Sequence, residues 1–166
     1  MFALKPLTSD AIPRALAKAE RYRLLNEPSE AESICEDVLR IDPGNQEALV
    51  ILLLALTEQF DDGIGGHLAD ARDVVQRLDD AYDRAYYAGI VAERHGKAQL
   101  RRAGPAAADA AHECIREAMA HYEAAEAVRP PGNDDALLRW NACARRLMHD
   151  RADELVVEER FEPFLE

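Results

Sequence analysis

The sequence predicts an all-α fold, and two observations support that expectation. Aromatic residues make up only 6% of the 166 residues, and no window alternates apolar and polar residues as a β-strand does. The second observation is a pattern that occurs twice: a small residue, packing residues four and seven positions later, and a Pro-Gly-Asn stop. The two copies are Ala31, Cys35 and Val38 with Pro43-Gly44-Asn45, and Ala118, Tyr122 and Ala125 with Pro130-Pro131-Gly132-Asn133. A pattern repeated in this way is typical of helical-repeat proteins, which usually work by presenting a binding surface.

Capping residues and prolines mark the first three helices. Ser9 or Asp10 is suited to cap the first helix and Asn26 the second, because their side-chain oxygens accept hydrogen bonds from free backbone N–H groups. Each helix has a proline in its first turn, where a missing N–H costs little. The second helix ends at the Pro-Gly-Asn stop. We expect the three helices at 10–25, 27–41 and 46–60.

Glycines and prolines separate the four later helices. The Gly-rich segment at 61–67 lacks the Lys and Ser/Thr of a phosphate-binding loop, so we interpret it as an expanded turn between helices. Gly104-Pro105 and the second Pro-Gly-Asn stop provide two further breaks. The predicted ranges are 68–78, 80–102, 106–128 and 134–148. We therefore divide the chain into a helical domain at 1–150 and an acidic C-terminal tail at 151–166.

The composition restricts the classes of partner and the compartment. A net charge of −12 disfavours nucleic acid and anionic membranes, since both must be met by clustered Lys and Arg, and it favours a basic partner. The N-terminus lacks the pattern of a signal peptide, and the longest strongly apolar run, at 48–57, is far shorter than the ~20 residues that span a bilayer. Three cysteines at unrelated spacings are expected to be buried, reduced thiols. These features predict a cytoplasmic protein.

Several residues resemble the tetratricopeptide repeat. The stretch from Ile12 to Asn45 is 34 residues long and carries the family's first-helix aromatic, second-helix small residues and closing proline as Tyr22, Ala31, Val38 and Pro43. Cys35 departs from the family pattern, which usually has an aromatic residue at that site; Tyr122 in the later copy does not. Ala88-Gly89 and Gly96 stand at the spacing of the family's Leu-Gly pair and turn glycine. The resemblance covers about 12–148 as three repeats, with an insertion at about 97–114.

The resemblance implies a fold, a groove and a function. The fold would be a right-handed stack of antiparallel helix pairs, a TPR-like α-solenoid, with a C-terminal capping helix at 134–148. The first helices would line a concave groove with Leu16, Glu20, Arg23, Val50, Leu54, Thr57, Tyr86, Ile90 and Glu93. The function would be that of a non-catalytic adaptor or scaffold, without a cofactor, that binds a peptide or helix with apolar anchors and basic flanks. A receptor for chaperone tails is not expected, because only Arg23 among these residues resembles the family's carboxylate clamp.

Alternative interpretations remain for the groove and the tail. Leu54, Tyr86 and Ile90 would also suit the core of a compact helical bundle. In the tail, Phe161, Phe164 and Leu165 lie among glutamates, as in a docking motif, in a strap that folds over the groove, or in a loose end.

Two further alternatives concern function. Trp140 and its neighbouring leucines would allow self-association as a structural protein. Glu113, Glu117 and His121 share a helical face and could bind a metal in a helical-bundle enzyme, but no second helix supplies matching ligands. We therefore do not expect an enzyme.

Overall fold

The helices of the structure follow the sequence pattern closely. The computed structural model describes residues 2–61, 66–102 and 104–160, the last ten by their backbone, and within these ranges it is all-helical, without strands. A short 3₁₀ turn at Ser9–Ala11 precedes seven α-helices. These are α1 (Ile12–Leu24), α2 (Pro28–Ile41), α3 (Gln46–Glu58), α4 (Gly66–Gln76), α5 (Ala81–Leu100), α6 (Pro105–Ala127) and α7 (Asp135–Arg160). The all-α prediction is confirmed, and every predicted helix end except the last is within two residues of the observed one.

Two of the predicted caps are wrong. The residues that cap α1 and α2 are Ala11 and Glu27, and neither side chain makes a capping hydrogen bond. Asn26 instead adopts a left-handed conformation, with φ of 60°, after the end of α1. Asparagine tolerates this conformation better than most residues, so it turns the chain rather than capping the next helix. By contrast, Asn45 caps α3, where its Oδ1 accepts a hydrogen bond from the N–H of Ala48 at 2.9 Å.

The last helix is longer than predicted. The sequence placed its end near Met148, whereas the backbone of α7 continues to Arg160. Between Met148 and Pro163 the sequence contains no glycine or proline, so it offers no stop signal. The helix therefore crosses position 150 without a break. The predicted tail residues Phe161, Phe164 and Leu165 lie outside the described residues, as do positions 62–65 of the Gly-rich turn.

Each helix packs on the next one along the chain, and α3 also contacts both α1 and α5. The buried residues form two clusters, one built mainly from α1 to α4 and the other from α5 to α7. Leu54 of α3 and Tyr87 of α5 pack against both clusters. These two residues therefore join the core into a continuous whole.

Two glycines allow α5 and α6 to pack closely. A Cβ atom on Gly89 would lie 2.5 Å from Cε1 of Tyr122, and one on Gly96 would lie 3.0 Å from the carbonyl oxygen of Ala111. The ring of Tyr122 fills the space above Gly89 and is fully buried. Because any larger residue would displace that ring, the closeness of the helix pair depends on glycine at position 89.

No helix in the described part of the chain is long and apolar enough to cross a membrane.

Candidate binding face

Four of the nine predicted groove residues are buried in the core. Leu16 and Ile90 are each 2% exposed, Thr57 is 4% exposed and Glu93 is 3% exposed. Buried side chains position their neighbours but offer no surface to a partner. The other five are at least partly accessible: Glu20 is exposed, and Arg23, Val50, Leu54 and Tyr86 are half-buried.

A line of alternating charges connects α1, α3 and α5. Arg23 of α1 forms a bidentate pair with Glu58 of α3, donating from Nη2 to Oε1 at 2.7 Å and from Nε to Oε2 at 3.2 Å. Arg94 of α5 donates to Thr57 Oγ1 at 2.7 Å and to Glu58 Oε1 at 3.4 Å. One carboxylate thus holds two arginines from different helices. Planar guanidinium groups suit such bridges, because each presents several donors in a fixed geometry.

Beside this line, the buried carboxylate of Glu93, the residue before Arg94, forms a second group of charges that reaches α7. It accepts hydrogen bonds from the Tyr122 hydroxyl at 2.6 Å, from Arg139 at 3.4 Å and from Lys97. Burial alone would raise the pKa of Glu93, but the hydrogen bonds from Lys97 and Tyr122 and the cation of Arg139 outweigh it and lower the pKa. The carboxylate is therefore ionised at neutral pH. We call Arg23, Glu58, Arg94, Glu93 and Arg139 the arginine seam.

The arginines of the seam remain charged in spite of their burial. Burial lowers the pKa of Arg94, and the cations of Arg23 and Arg139 act in the same direction, while Glu58 opposes them. For Arg139, the carboxylate of Glu93 and a hydrogen bond with Tyr86 outweigh burial and raise the pKa. Arginine stays protonated even when its pKa is lowered from so high a value. The seam together with Lys97 therefore holds four cations and two carboxylates.

Tyrosines of α5 form an aromatic surface beside the seam. The rings of Tyr82 and Tyr86 are stacked with centroids 5.6 Å apart, and the ring centroids of Tyr86 and Tyr122 are 5.9 Å apart. Tyr86 and Tyr87 meet edge to face at 5.2 Å, and both are half-buried. Burial raises the pKa of Tyr87 to about 12, so this hydroxyl stays neutral. Both adjacent tyrosines keep some accessible surface.

A cavity of about 530 Å³ opens between α5, α6 and α7 at the Glu93 end of the seam. It is lined by Glu93, Lys97, Ile115, Ala142, Cys143, Arg145, Arg146, His149 and Asp150. The floor is apolar and the rim is charged. Asp150 already pairs with Arg146 and His112, at 3.3 Å and 3.1 Å, whereas Arg145 forms no ion pair with any described side chain. The rim of the cavity therefore retains positive charge, although the chain as a whole is acidic.

Sequence reasoning missed most of the arginine seam. It named Arg23 and Glu93 but not Glu58, Arg94 or Arg139. A signal was available, because Arg23, Glu58 and Arg94 follow one another at intervals of 35 and 36 residues, close to the 34-residue repeat that the sequence resemblance implies. Charged residues of alternating sign at such intervals on α1, α3 and α5 are well placed to pair between these helices.

The residues considered for a metal site do not converge with other ligands. Oε1 of Glu117 lies 3.7 Å from Nη2 of Arg72 and 3.9 Å from Nε2 of His121. Glu113 is exposed. No group of three or more His, Cys, Asp or Glu side chains in the described ranges is arranged to hold a metal ion.

The cysteines are free thiols, as predicted. Cys35 and Cys143 are buried, whereas Cys114 is only half-buried, with its Sγ 3.4 Å from Nδ1 of His95. Burial raises the pKa of Cys35 to about 12 and that of Cys143 to about 11. Burial also raises the pKa of Cys114 and lowers that of His95, so this pair is neutral at pH 7 and unlike the thiolate–imidazolium pair of a catalytic site.

The residues of the predicted C-terminal cap pack against α6. Trp140 and Leu147 contact the second core cluster, and the indole N–H of Trp140 donates to Glu123 at 2.9 Å. Ala136 and Cys143 are buried at this contact, while Leu138 remains 62% exposed.

No protein-family model matches the chain, and a search of curated proteins found no significant match.

Proposed function

We propose that this chain is a non-catalytic protein-interaction module, a divergent TPR-like stack that binds a segment of another protein along the arginine seam. The observation that carries the proposal is that two adjoining groups of paired charges, Arg23–Glu58–Arg94 and Glu93–Arg139, join α1, α3, α5 and α7 beside half-buried apolar side chains and a cavity. The contacts of α3 with α1 and α5 support a stack with these three helices on one side. Repeat stacks of this kind provide extended surfaces for peptides and helices.

The proposed partner segment combines apolar anchors with carboxylates. Val50, Leu54 and Tyr86 are half-buried and offer apolar contact along the seam. Arg139 and Lys97 keep 39% and 46% of their side-chain surface exposed, so they can bind a second carboxylate while still contacting Glu93. The net charge of the chain favoured a basic partner. The local excess of cations favours acidic groups in the partner segment, because at physiological salt the interaction between charges more than about 10 Å apart is screened.

A peptide selection tests this partner chemistry. Random peptides displayed on phage are selected on the wild-type chain, and we expect enrichment of sequences that combine Leu or Phe with Asp or Glu. Tyr86→Ala and Arg145→Glu should each weaken binding of an enriched peptide at least about fivefold, a loss on the order of 1 kcal/mol. Arg116→Glu is the matched control, since this exposed arginine of α6 lines none of the cavities described here.

Two results would refute the proposal. The first is a selection that yields no peptide able to compete in solution. The second is binding of the Tyr86 and Arg145 variants that equals binding of the Arg116 control. Thermal unfolding of each variant, followed by circular dichroism, separates loss of binding from loss of fold.

A further inference from the structure

The face of α1 that points away from the core is basic. Arg14, Lys18 and Arg21 are exposed and stand at i, i+4 and i+7, so they share one side of the helix. Leu16 and Ala19 are buried on the other side. None of the three cations forms an ion pair with a described side chain, although the chain carries 32 carboxylates against 20 Lys and Arg. We call these three residues, with Tyr22 and Leu25, the outer α1 face.

The same end of the molecule exposes apolar surface. Leu24 and Leu25 are 81% and 62% exposed, and Phe2 and Leu4 are also exposed. A cavity of about 650 Å³ lies along the outer α1 face, lined by Arg14, Ala17, Lys18, Arg21, Tyr22 and Leu25. Exposed leucine surface at the end of α1, next to a cavity lined by three cations, is typical of an interaction surface.

The chain carries a segment of the opposite character at its other end. Residues 153–166 contain six carboxylates and one arginine, and the last six residues contribute Phe161, Phe164 and Leu165. Residues 1–25, by contrast, contain five cations and two carboxylates. Charge and apolar character therefore match between the C-terminal segment and the outer α1 face.

We propose that the outer α1 face binds the C-terminal segment, residues 153–166, of a second copy of this chain. Phenylalanine and leucine side chains of the segment would occupy the cavity, and its glutamates would pair with Arg14, Lys18 and Arg21. Within one chain, α1 packs on α2 and α3, whereas α7 packs on α6. Because α1 and α7 pack on different helices, we assign the segment to a second copy rather than to the same chain. A contact between two different surfaces is not self-complementary, so the copies add head to tail, into a ring if the rotation closes and into an open chain if it does not.

Two full-length variants test the proposal. The face variant carries Arg14→Glu, Lys18→Glu and Arg21→Glu; the tail variant carries Phe161→Ser, Glu162→Gln and Phe164→Ser. A control with Arg40→Glu, Arg72→Glu and Arg116→Glu changes the net charge as much as the face variant does, at exposed positions on other helices. Circular dichroism verifies that all of them fold.

Sedimentation velocity across a concentration series gives the outcome. The wild type and the control should form oligomers that grow with concentration and dissociate as salt rises. The face and tail variants should each associate at least about tenfold more weakly. A mixture of the two should form a 1:1 dimer and nothing larger, because one variant supplies only the segment and the other only the face.

Any of three results overturns the proposal. The first is a wild type that stays monomeric throughout the series, which includes the case in which the segment folds onto its own chain. The second is a control that loses association as the face variant does, which assigns the effect to net charge. The third is a mixture of face and tail variants that fails to dimerise.

Discussion

Replacing Gly89 with alanine tests the packing that places α5 against α6. The new Cβ would lie 2.5, 2.7 and 2.9 Å from three ring carbons of Tyr122, distances that side chains do not tolerate. The ring cannot withdraw without cost, because it is fully buried and its hydroxyl is bonded to the buried carboxylate of Glu93 at 2.6 Å. The substitution therefore strains the packing of α5 against α6 and weakens that hydrogen bond.

Three contributions determine how much Gly89→Ala lowers the free energy of unfolding. Overpacking costs about 1–3 kcal/mol, and weakening a hydrogen bond to a buried charge costs about 1.5–3 kcal/mol more. Alanine regains about 1 kcal/mol of helix propensity. We expect Gly89→Ala to lower the free energy of unfolding by about 1.5–5 kcal/mol, measured by urea unfolding and circular dichroism. Gly44→Ala should change it by less than about 1 kcal/mol, because its Cβ meets no atom within 4 Å and its φ is not positive.

A double-mutant cycle isolates the contact. In a Tyr122→Leu background the ring is absent, so Gly89→Ala should cost at least about 1 kcal/mol less than it does in the wild type. Equal costs in the two backgrounds would refute the reasoning, as would a Gly89→Ala protein as stable as the wild type.

Three further predictions concern the seam and the thiols. Glu58→Gln should lower the free energy of unfolding by about 1–3 kcal/mol, because two partly buried arginines lose their carboxylate. The control Asp37→Asn removes only an exposed ion pair and should cost under about 0.5 kcal/mol. Equal losses of the two variants in urea unfolding would contradict this prediction. Because the pKa of Glu93 is lowered on folding from 4.5, its ionisation stabilises the fold above that pH and the contribution disappears as pH falls through the folded pKa. Glu93→Gln should therefore flatten the acid limb of stability against pH, and an unchanged slope would be evidence against an ionised Glu93. Alkylation with iodoacetamide at pH 8, followed by mass spectrometry, should modify the half-buried Cys114 before the buried Cys35, and the reverse order would contradict the structure.

The sequence predicted the helices well because their signals are local. Prolines, glycines and a 3.6-residue periodicity act within a few residues of one another, so most helix ends could be placed to within two residues. The end of α7 was missed for the same reason: no breaker follows Met148 until Pro163, and an acidic composition alone does not stop a helix.

The candidate site was harder to predict because it depends on distant pairs. Glu58 is separated from Arg23 and Arg94 by 35 and 36 residues, and nothing local marks it as their common partner. Burial was also misjudged for Leu16 and Ile90, since helix periodicity gives the direction of a side chain but not what covers it. Ile90 is one of the three residues that the alternative interpretation of a compact bundle had assigned to the core, whereas Leu16 was not among them.

An NMR titration tests the central claim most directly, namely that a partner binds along the arginine seam. The ¹⁵N-labelled chain is titrated with a peptide obtained from the selection, and amide shifts are mapped onto the helices. The account predicts that the shifts concentrate around Arg23, Leu54, Arg94 and Arg139, with α2 and α4 largely unchanged. Shifts concentrated on α2 and α4, or a titration without any shifts, would contradict it.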